Sequence, residues 1–220
     1  MPGGVQGYDR YAYVNNNPVN YVDPSGHKAC DSIDQEGRCN EDLFWNWHNN
    51  NQLKTSDEGL EFIKKWEGTH ITDSLHTLYN DPAGNCTIGY GFLVHIGSCT
   101  NGADTSETDY LKGITEDEAE KLLRDTIKEV DKVIQKNVGV PITQQEFDAL
   151  VSFTYNVGGN GFTTSTLLEE LNSGKYDSVP GNLNEWVWAY DSISNTTVKL
   201  GGLVTRRQEE GIIYFEWTYP

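Results

Sequence analysis

Two carboxylates and a hydroxyl occur in one stretch, residues 66–91, which reads WEGTHITDSLHTLYNDPAGNCTIGYG. Glu67 precedes a short irregular segment, Asp81 opens an Asp-Pro-Ala-Gly turn, and Thr87 lies in a β-type run that ends in Gly-Tyr-Gly. Hydrolysis of a glycosidic bond passes through an oxocarbenium-like state. One carboxylic acid protonates the leaving oxygen, while a second, ionised group stabilises the cation or activates water. The stretch therefore suits glycosidic-bond hydrolysis.

The local structure expected around these residues gives the two carboxylates different environments. Ser56 is predicted to be the N-cap of a short helix whose last turn carries Glu67. A helix C-terminus disfavours a negative charge, so we expect a raised pKa for Glu67, as a general acid requires. Asp81, in an exposed turn, suits the ionised role, and Thr87 is placed to hold the attacking water against it.

The rest of the sequence predicts a helical domain with one small sheet near its start. Residues 78–90 are expected to form a β-hairpin. Capping boxes, in which a threonine precedes a glutamate by three residues, are expected to begin two long helices at Thr115 and Thr143. The first should run to about residue 137, and three glycines between 158 and 161 should end the second. Further helices are expected over about 165–173, 183–190 and 205–215.

The charge of the chain limits its partners. Against 33 Asp and Glu there are 16 Lys and Arg, so the formal net charge is 16 − 33 = −17. Nucleic acid and anionic membranes are poor partners for such a chain, because phosphate contacts need a basic face. The apolar runs are far shorter than the roughly 20 residues that cross a bilayer, so no membrane insertion is expected. The first residues also lack the features of a Sec signal peptide.

Four cysteines form two pairs that are local in sequence, Cys30 with Cys39 and Cys86 with Cys99. Four cysteines allow three connectivities, and we favour the two local disulfides over free buried thiols. Disulfides indicate an oxidising compartment outside the cytoplasm. Neither the cysteines nor the histidines have the spacing of a metal site, so no metal or other cofactor is expected.

Residues 7–27, GYDRYAYVNNNPVNYVDPSGH, combine alternating tyrosines with Asn-Pro and Asp-Pro-Ser-Gly turn signals. From the residues alone this is a strand, turn, strand fragment. This segment resembles the end of the core region of Rhs/YD-repeat proteins, after which a variable effector domain begins. The resemblance implies self-cleavage of the shell close to His27.

Six further sequence motifs follow one another over about residues 56–219. They are WEG, LYNDPAGNCTIGYG, ITEDEAEKLLRDT, QQEFDALVSFTYNVG, STLLEELNSG and GGLVTRRQEE. In this order they resemble phage endolysins of glycoside hydrolase family 24. The resemblance implies an α+β, lysozyme-like fold, mainly helical, with a small N-terminal β-hairpin lobe flanking the active-site cleft. It also implies a muramidase that cleaves the β-1,4 bond between N-acetylmuramic acid and N-acetylglucosamine in peptidoglycan, inverting the anomeric centre.

Carried over residue by residue, the resemblance makes Glu67 the general acid, Asp81 the second carboxylate and Thr87 the active-site threonine. Of the two neighbouring arginines 206 and 207, Arg207 is expected to pair with Glu67 across the cleft. Tyr79 and Tyr90, which flank the hairpin, are further candidates for binding or supporting the substrate.

Three features depart from the family pattern. Phe92 stands where the family has histidine after Gly-Tyr-Gly. The carboxylates are 81 − 67 = 14 residues apart, more than is usual, so residues 69–77 should bulge at the edge of the cleft. The chain is also strongly acidic, whereas many lysozymes are basic, which weakens binding to anionic walls.

These observations favour a division into the end of an Rhs core (1–27), a linker (28–55) and a lysozyme-like catalytic domain (56–220). The expected protein is a monomeric antibacterial effector, extracellular or periplasmic, that acts on peptidoglycan strands; an immunity protein is left open as a second partner. Two alternatives remain. One is a catalytically silent peptidoglycan-binding module, and the other is a lytic transglycosylase, which needs only one acid and leaves Asp81 unexplained.

Overall fold

The computed structural model describes residues 52–81, 83–191 and 196–216. The helices in these ranges are α1 (Asp57–Trp66), α2 (Glu116–Asn137), α3 (Gln144–Thr163), α4 (Thr166–Asn172), α5 (Val179–Leu183) and α6 (Gly201–Glu216). Short 3-10 helices cover Thr105–Tyr110 and Tyr176–Ser178. In the part of the chain described, none of the helices is both long enough and apolar enough to span a membrane.

Side-chain caps begin the three helices that frame the site. The Ser56 hydroxyl accepts a hydrogen bond from the backbone N–H of Gly59 at 3.0 Å, as expected of an N-cap. The capping boxes at Thr115 and Thr143 are both formed, with each threonine and its glutamate bonding reciprocally. The predicted starts of α1, α2 and α3 are therefore confirmed.

Helix α3 is the centre of the hydrophobic core. It packs against α1, α2 and α6. Its buried apolar residues within one stretch of two turns are Phe147, Ala149, Leu150, Val151 and Phe153. A helix that is apolar on nearly all sides belongs in a protein interior. Through this packing, the end of α1 and the start of α6 are both held against one rigid element.

The strands form small antiparallel sheets. They are β1 (Ile71–Thr72), β2 (Leu75–His76), β3 (Tyr79–Asn80), β4 (Cys86–Ile88), β5 (Phe92–His95), β6 (Trp188–Asp191) and β7 (Thr196–Lys199). Strands β3, β4 and β5 form a three-stranded sheet, while β1 pairs with β2 and β6 pairs with β7. The expected α+β, lysozyme-like architecture is confirmed, and the β lobe is larger than the single predicted hairpin.

The lengthened segment between the carboxylates folds into the β1–β2 hairpin. Asp73 and Ser74 have φ values of 49° and 66° and close its tight turn in the left-handed region that such hairpins need. His76 then exchanges two backbone hydrogen bonds with Ile114, at 2.8 and 2.9 Å. The extra residues are thus a small structured ribbon fixed to the start of α2.

Two predictions of helix position were wrong. Residues 183–190 do not form a helix, because the chain leaves α5 at Leu183 and enters strand β6, which pairs with β7. The last helix begins at Gly201 rather than near residue 205. The predicted break at the glycines is confirmed: Gly158 has non-helical dihedral angles, φ 81° and ψ 154°, and a second helical segment of α3 follows to Thr163.

A disulfide joins Cys86 in β4 to Cys99, as predicted. Cys30, Cys39 and the expected Rhs segment 1–27 lie outside the described residues. Part of the proposed linker is described. Leu53 packs on the core and accepts a hydrogen bond from Gln135 in α2 at 2.6 Å.

Removing the Cys86–Cys99 bond by the double substitution Cys86→Ala and Cys99→Ala is expected to cost about 3 kcal/mol of unfolding free energy. The bond closes a loop with a sequence separation of 13, which restricts the unfolded chain. Urea unfolding with and without a thiol reductant measures the loss. A variant with Cys30→Ala and Cys39→Ala is the matched control, and its stability should still fall on reduction. Equal stability of the Cys86/Cys99 variant and the parent protein would contradict the prediction.

Candidate active site

Glu67 lies at the end of α1, where its backbone N–H still bonds to the Ile63 carbonyl at 3.1 Å. Its side chain is only 19% exposed, and Arg206 Nη1 donates to Glu67 Oε1 at 2.9 Å. Burial raises the pKa of Glu67 above its usual value, and the charge and hydrogen bond of Arg206 oppose that rise. Glu67 is thus a carboxyl group held largely out of water, as a general acid must be.

Arg206, and not Arg207, pairs with Glu67, so the predicted assignment of this ion pair was wrong. Arg206 also donates to buried Glu210 at 3.1 Å and to the carbonyl of Ser152 at 3.2 Å. Arg207 instead bonds to Glu210, Asn156 and the carbonyl of Trp186. Neighbouring residues on a helix point about 100° apart, and here that rotation turns Arg206 toward α1 and Arg207 into the body of the domain.

Asp81 begins the turn between β3 and β4, and residue 85 fixes its carboxylate. Asp81 Oδ1 accepts the backbone N–H of Asn85 at 2.8 Å, and Oδ2 accepts the side-chain amide of Asn85 at 3.3 Å. Thr87 is 2% exposed, and its hydroxyl donates to the Asn85 carbonyl at 3.3 Å. The Thr87 oxygen is therefore left free to accept a hydrogen bond from another donor.

Tyr79 lies on the same face of the sheet as two of the site residues. It is the cross-strand partner of Thr87, and side chains two residues apart on a strand share a face, so Tyr79, Asp81 and Thr87 lie on one side of the sheet. Burial raises the pKa of the Tyr79 hydroxyl, and the negative charges of Glu67 and Asp81 raise it further. The charges of Glu67, at the end of α1, and of Asp81, in the β3–β4 turn, thus both act on the Tyr79 hydroxyl.

Tyr90 fits the supporting role rather than contact with a substrate. It is buried, and its hydroxyl donates to Glu116 Oε1 at 2.6 Å. Glu116 also contacts His76 Nε2 at 2.8 Å and Lys64 at 2.8 Å, so α1, β2 and the end of the sheet meet at one residue of α2. These contacts hold the β lobe against the helices.

Phe92 fills the position where the family pattern has histidine. Its ring lies 6.1 Å from the ring of Tyr110, in a tilted arrangement. Partly buried, Phe92 packs against the hydrophobic core. An apolar contact with the 3-10 helix therefore supports the lobe at this position.

Tyr155 is a site residue that the sequence analysis missed. Its hydroxyl donates to the carbonyl of Tyr90 at 2.7 Å, and burial together with the charge of Glu67 raises its pKa. A Cβ atom on Gly91 would lie 3.5 Å from this hydroxyl and 3.6 Å from Glu67 Oε2, and Gly91 has φ +86°. Tyr155 is three residues after Ser152, whose carbonyl bonds to Arg206, so both residues lie on the same face of α3. This helical spacing was the sequence signal that could have indicated Tyr155.

His95 and Glu107 shape the loop behind the sheet. Glu107 is fully buried and accepts hydrogen bonds from His95 at 2.8 Å and from the backbone N–H of Thr100 and Gly102 at 2.6 and 2.7 Å. These hydrogen bonds, that of His95 first, lower the pKa of Glu107 to about 2. Cys86, His95 and Glu107 offer ligand atoms within 4.8 Å of one another, but the Cys86 sulfur is bonded to Cys99. The grouping is therefore structural.

The fold and the site define the class of protein: a glycoside hydrolase of lysozyme-like architecture, with a largely buried glutamic acid at a helix end and a carboxylate and a hydroxyl on a small sheet. The family model described as "Phage lysozyme" matches residues 64–210. The chain belongs to the phage lysozyme family.

Relatives and solved structures support this membership. An endolysin of Acyrthosiphon pisum secondary endosymbiont phage 1 is 33% identical over 162 residues, which cover 74% of this chain and 98% of the relative. An endolysin from Escherichia coli O157:H7 phage FAHEc1 superposes with a TM-score of 0.63 at 32% identity, covering 77% of this chain and 98% of that one. The muramidase domain of SpmX from Asticaccaulis excentricus gives a TM-score of 0.60 at 28% identity, covering 74% and 98%.

Proposed function

We propose that this chain is a muramidase that hydrolyses the β-1,4 bond between N-acetylmuramic acid and N-acetylglucosamine in peptidoglycan. The observation that carries the proposal is the pair of carboxylates, Glu67 and Asp81, whose charges both act on Tyr79. Glu67 is largely buried and has a raised pKa, whereas the Asp81 carboxylate accepts hydrogen bonds from the backbone and side-chain N–H groups of Asn85. Two carboxyl groups in unlike environments are the requirement for this chemistry. The endolysin and muramidase relatives support the same substrate.

In the proposed mechanism Glu67 donates its proton to the glycosidic oxygen as the bond breaks. Asp81 accepts a proton from a water molecule that attacks the anomeric carbon from the other face. The proton of the Thr87 hydroxyl is already donated to Asn85, so its oxygen accepts the second hydrogen of that water. This arrangement gives inversion at the anomeric centre.

The biological setting belongs to the proposal. The Rhs-like sequence of residues 7–27 favours an effector that is carried on a larger polypeptide. The disulfide favours action outside the cytoplasm. The boundaries 1–27, 28–55 and 56–220, a monomeric enzyme and an immunity protein in the producing cell complete this hypothesis. The net charge of −17 indicates a soluble enzyme rather than one that adheres to anionic walls.

Mass spectrometry of the products tests the proposal. Purified protein incubated with peptidoglycan is expected to release muropeptides with reducing N-acetylmuramic acid ends, because water is the acceptor. Products with 1,6-anhydro ends would instead identify a lytic transglycosylase. Binding without any released product would identify a silent peptidoglycan-binding module. Proton NMR of the first-formed reducing end, recorded before mutarotation, is expected to show the α-anomer.

A further inference from the structure

Asn85 contacts both members of the Asp81–Thr87 pair. Its backbone N–H and its side-chain amide nitrogen donate to the two oxygens of Asp81, at 2.8 and 3.3 Å. Its carbonyl accepts the N–H of Asp81 at 2.9 Å and the hydroxyl of Thr87 at 3.3 Å. One residue therefore sets the direction of the Asp81 carboxylate and the rotamer of the Thr87 hydroxyl.

A hydrogen bond from Gly97 fixes the orientation of the Asn85 side chain. Its Oδ1 accepts the N–H of Gly97 at 3.2 Å, so its nitrogen must face Asp81. The Gly97 carbonyl accepts the N–H of Cys86 at 2.8 Å, and Cys99 donates its N–H to Asn80 Oδ1 at 2.8 Å. Residues 97–99 are thus hydrogen-bonded to the β3–β4 turn, and the Cys86–Cys99 disulfide attaches the same segment covalently to β4.

We propose that Asn85 is a positioning residue for hydrolysis, which aims the Asp81 carboxylate and leaves Thr87 as an acceptor for the attacking water. The inference rests on the proposed function, because it assumes that Asp81 acts on that water. Asn85 acts through Asp81 and Thr87. Its loss should therefore slow the chemical step without weakening the binding of glycan strands.

Two substitutions separate the contacts of the Asn85 side chain. Asn85→Val removes both side-chain bonds and keeps the backbone ones. Asn85→Asp keeps an acceptor for Gly97 and replaces the donor with a carboxylate that faces Asp81. On soluble glycan strands of peptidoglycan, both variants are expected to lower kcat by about 10-fold, with KM within about twofold of the parent value. Parent-like kcat in Asn85→Asp would overturn the proposal, because the donor to Asp81 would then be dispensable.

Asn182 provides the matched control. Its side-chain amide also donates to a carboxylate, Glu170 Oε2, at 2.9 Å, on a distant part of the helical domain. Asn182→Val is expected to keep the parent kcat and KM. Thermal unfolding of every variant checks the fold, and equal kcat and unfolding midpoints for Asn85→Val and the parent would also overturn the proposal.

Asp81→Asn in the same assay distinguishes failure of the positioning role of Asn85 from failure of the catalytic role proposed for Asp81. A large loss of kcat in Asp81→Asn with normal Asn85 variants would reject the positioning role alone. Full activity of Asp81→Asn would reject the role assigned to Asp81, and the positioning role with it.

Discussion

Substitution of Glu67 by glutamine is expected to lower the rate of peptidoglycan hydrolysis by about 10²- to 10⁴-fold, the usual contribution of a general acid. The amide has nearly the same shape but cannot donate a proton to the glycosidic oxygen. The rate of muropeptide release measures the loss. In the parent enzyme the acid must be protonated, so activity should fall as pH rises through the pKa of Glu67. Because burial raises that pKa, the fall should begin at a higher pH than an exposed glutamate would give.

Glu61 is the matched control for this experiment. It lies on the same helix, its side chain is 66% exposed, and its contact with Lys64 at 3.1 Å is shared with other carboxylates. Glu61→Gln is expected to keep the parent rate, because an exposed ion pair contributes little. Unchanged muropeptide release by Glu67→Gln would reject Glu67 as the acid.

The sequence predicted those parts of the fold that depend on neighbours along the chain. Ser56, Thr115 and Thr143 each satisfy N–H groups only three residues away, so their pattern is visible in a short window. The Cys86–Cys99 pairing is likewise local. Glu67 was placed correctly at a helix end, but the leading cause of its raised pKa is burial beneath other elements, not the helix terminus.

The parts that could not be predicted depend on distant contacts. Strand β6 pairs with β7, Trp188 opposite Lys199, and no local propensity specifies this pairing. Val187 is buried and Trp188 is exposed, but both are apolar, so the sequence does not show this alternation. The run of aromatic residues was therefore read as a helix. The glycines at 201 and 202 are poor helix formers, and tertiary packing includes them in α6 all the same.

At the site, the residue types could be predicted from the sequence, but the directions in which their side chains point could not. The sequence pattern indicated an arginine opposite Glu67, but the choice between positions 206 and 207 depends on how α6 is rotated against α3. Asn85 carried no signal, because its role depends on the return of segment 97–99 behind the turn. The structure therefore adds the contacts that orient the catalytic candidates.

Loss of Arg206 is expected to have a large effect on stability. Arg206→Met leaves the buried carboxylate of Glu210 without one of its donors and removes the partner of Glu67. Breaking a buried ion pair by removing one partner typically costs about 3–5 kcal/mol. Because Glu210 also bonds to Arg207, Arg207→Met is expected to destabilise by a similar amount. Urea unfolding measures both losses.

The pH dependence of activity distinguishes the two arginines. The Arg206 charge and hydrogen bond lower the pKa of Glu67, so Arg206→Met should raise that pKa further and keep the acid protonated to a higher pH. The alkaline limb of the pH–rate profile is therefore expected to move upward in Arg206→Met and to stay in place in Arg207→Met. Both profiles are recorded below the unfolding midpoints of the variants. A shift in Arg207→Met alone would restore Arg207 as the partner of Glu67.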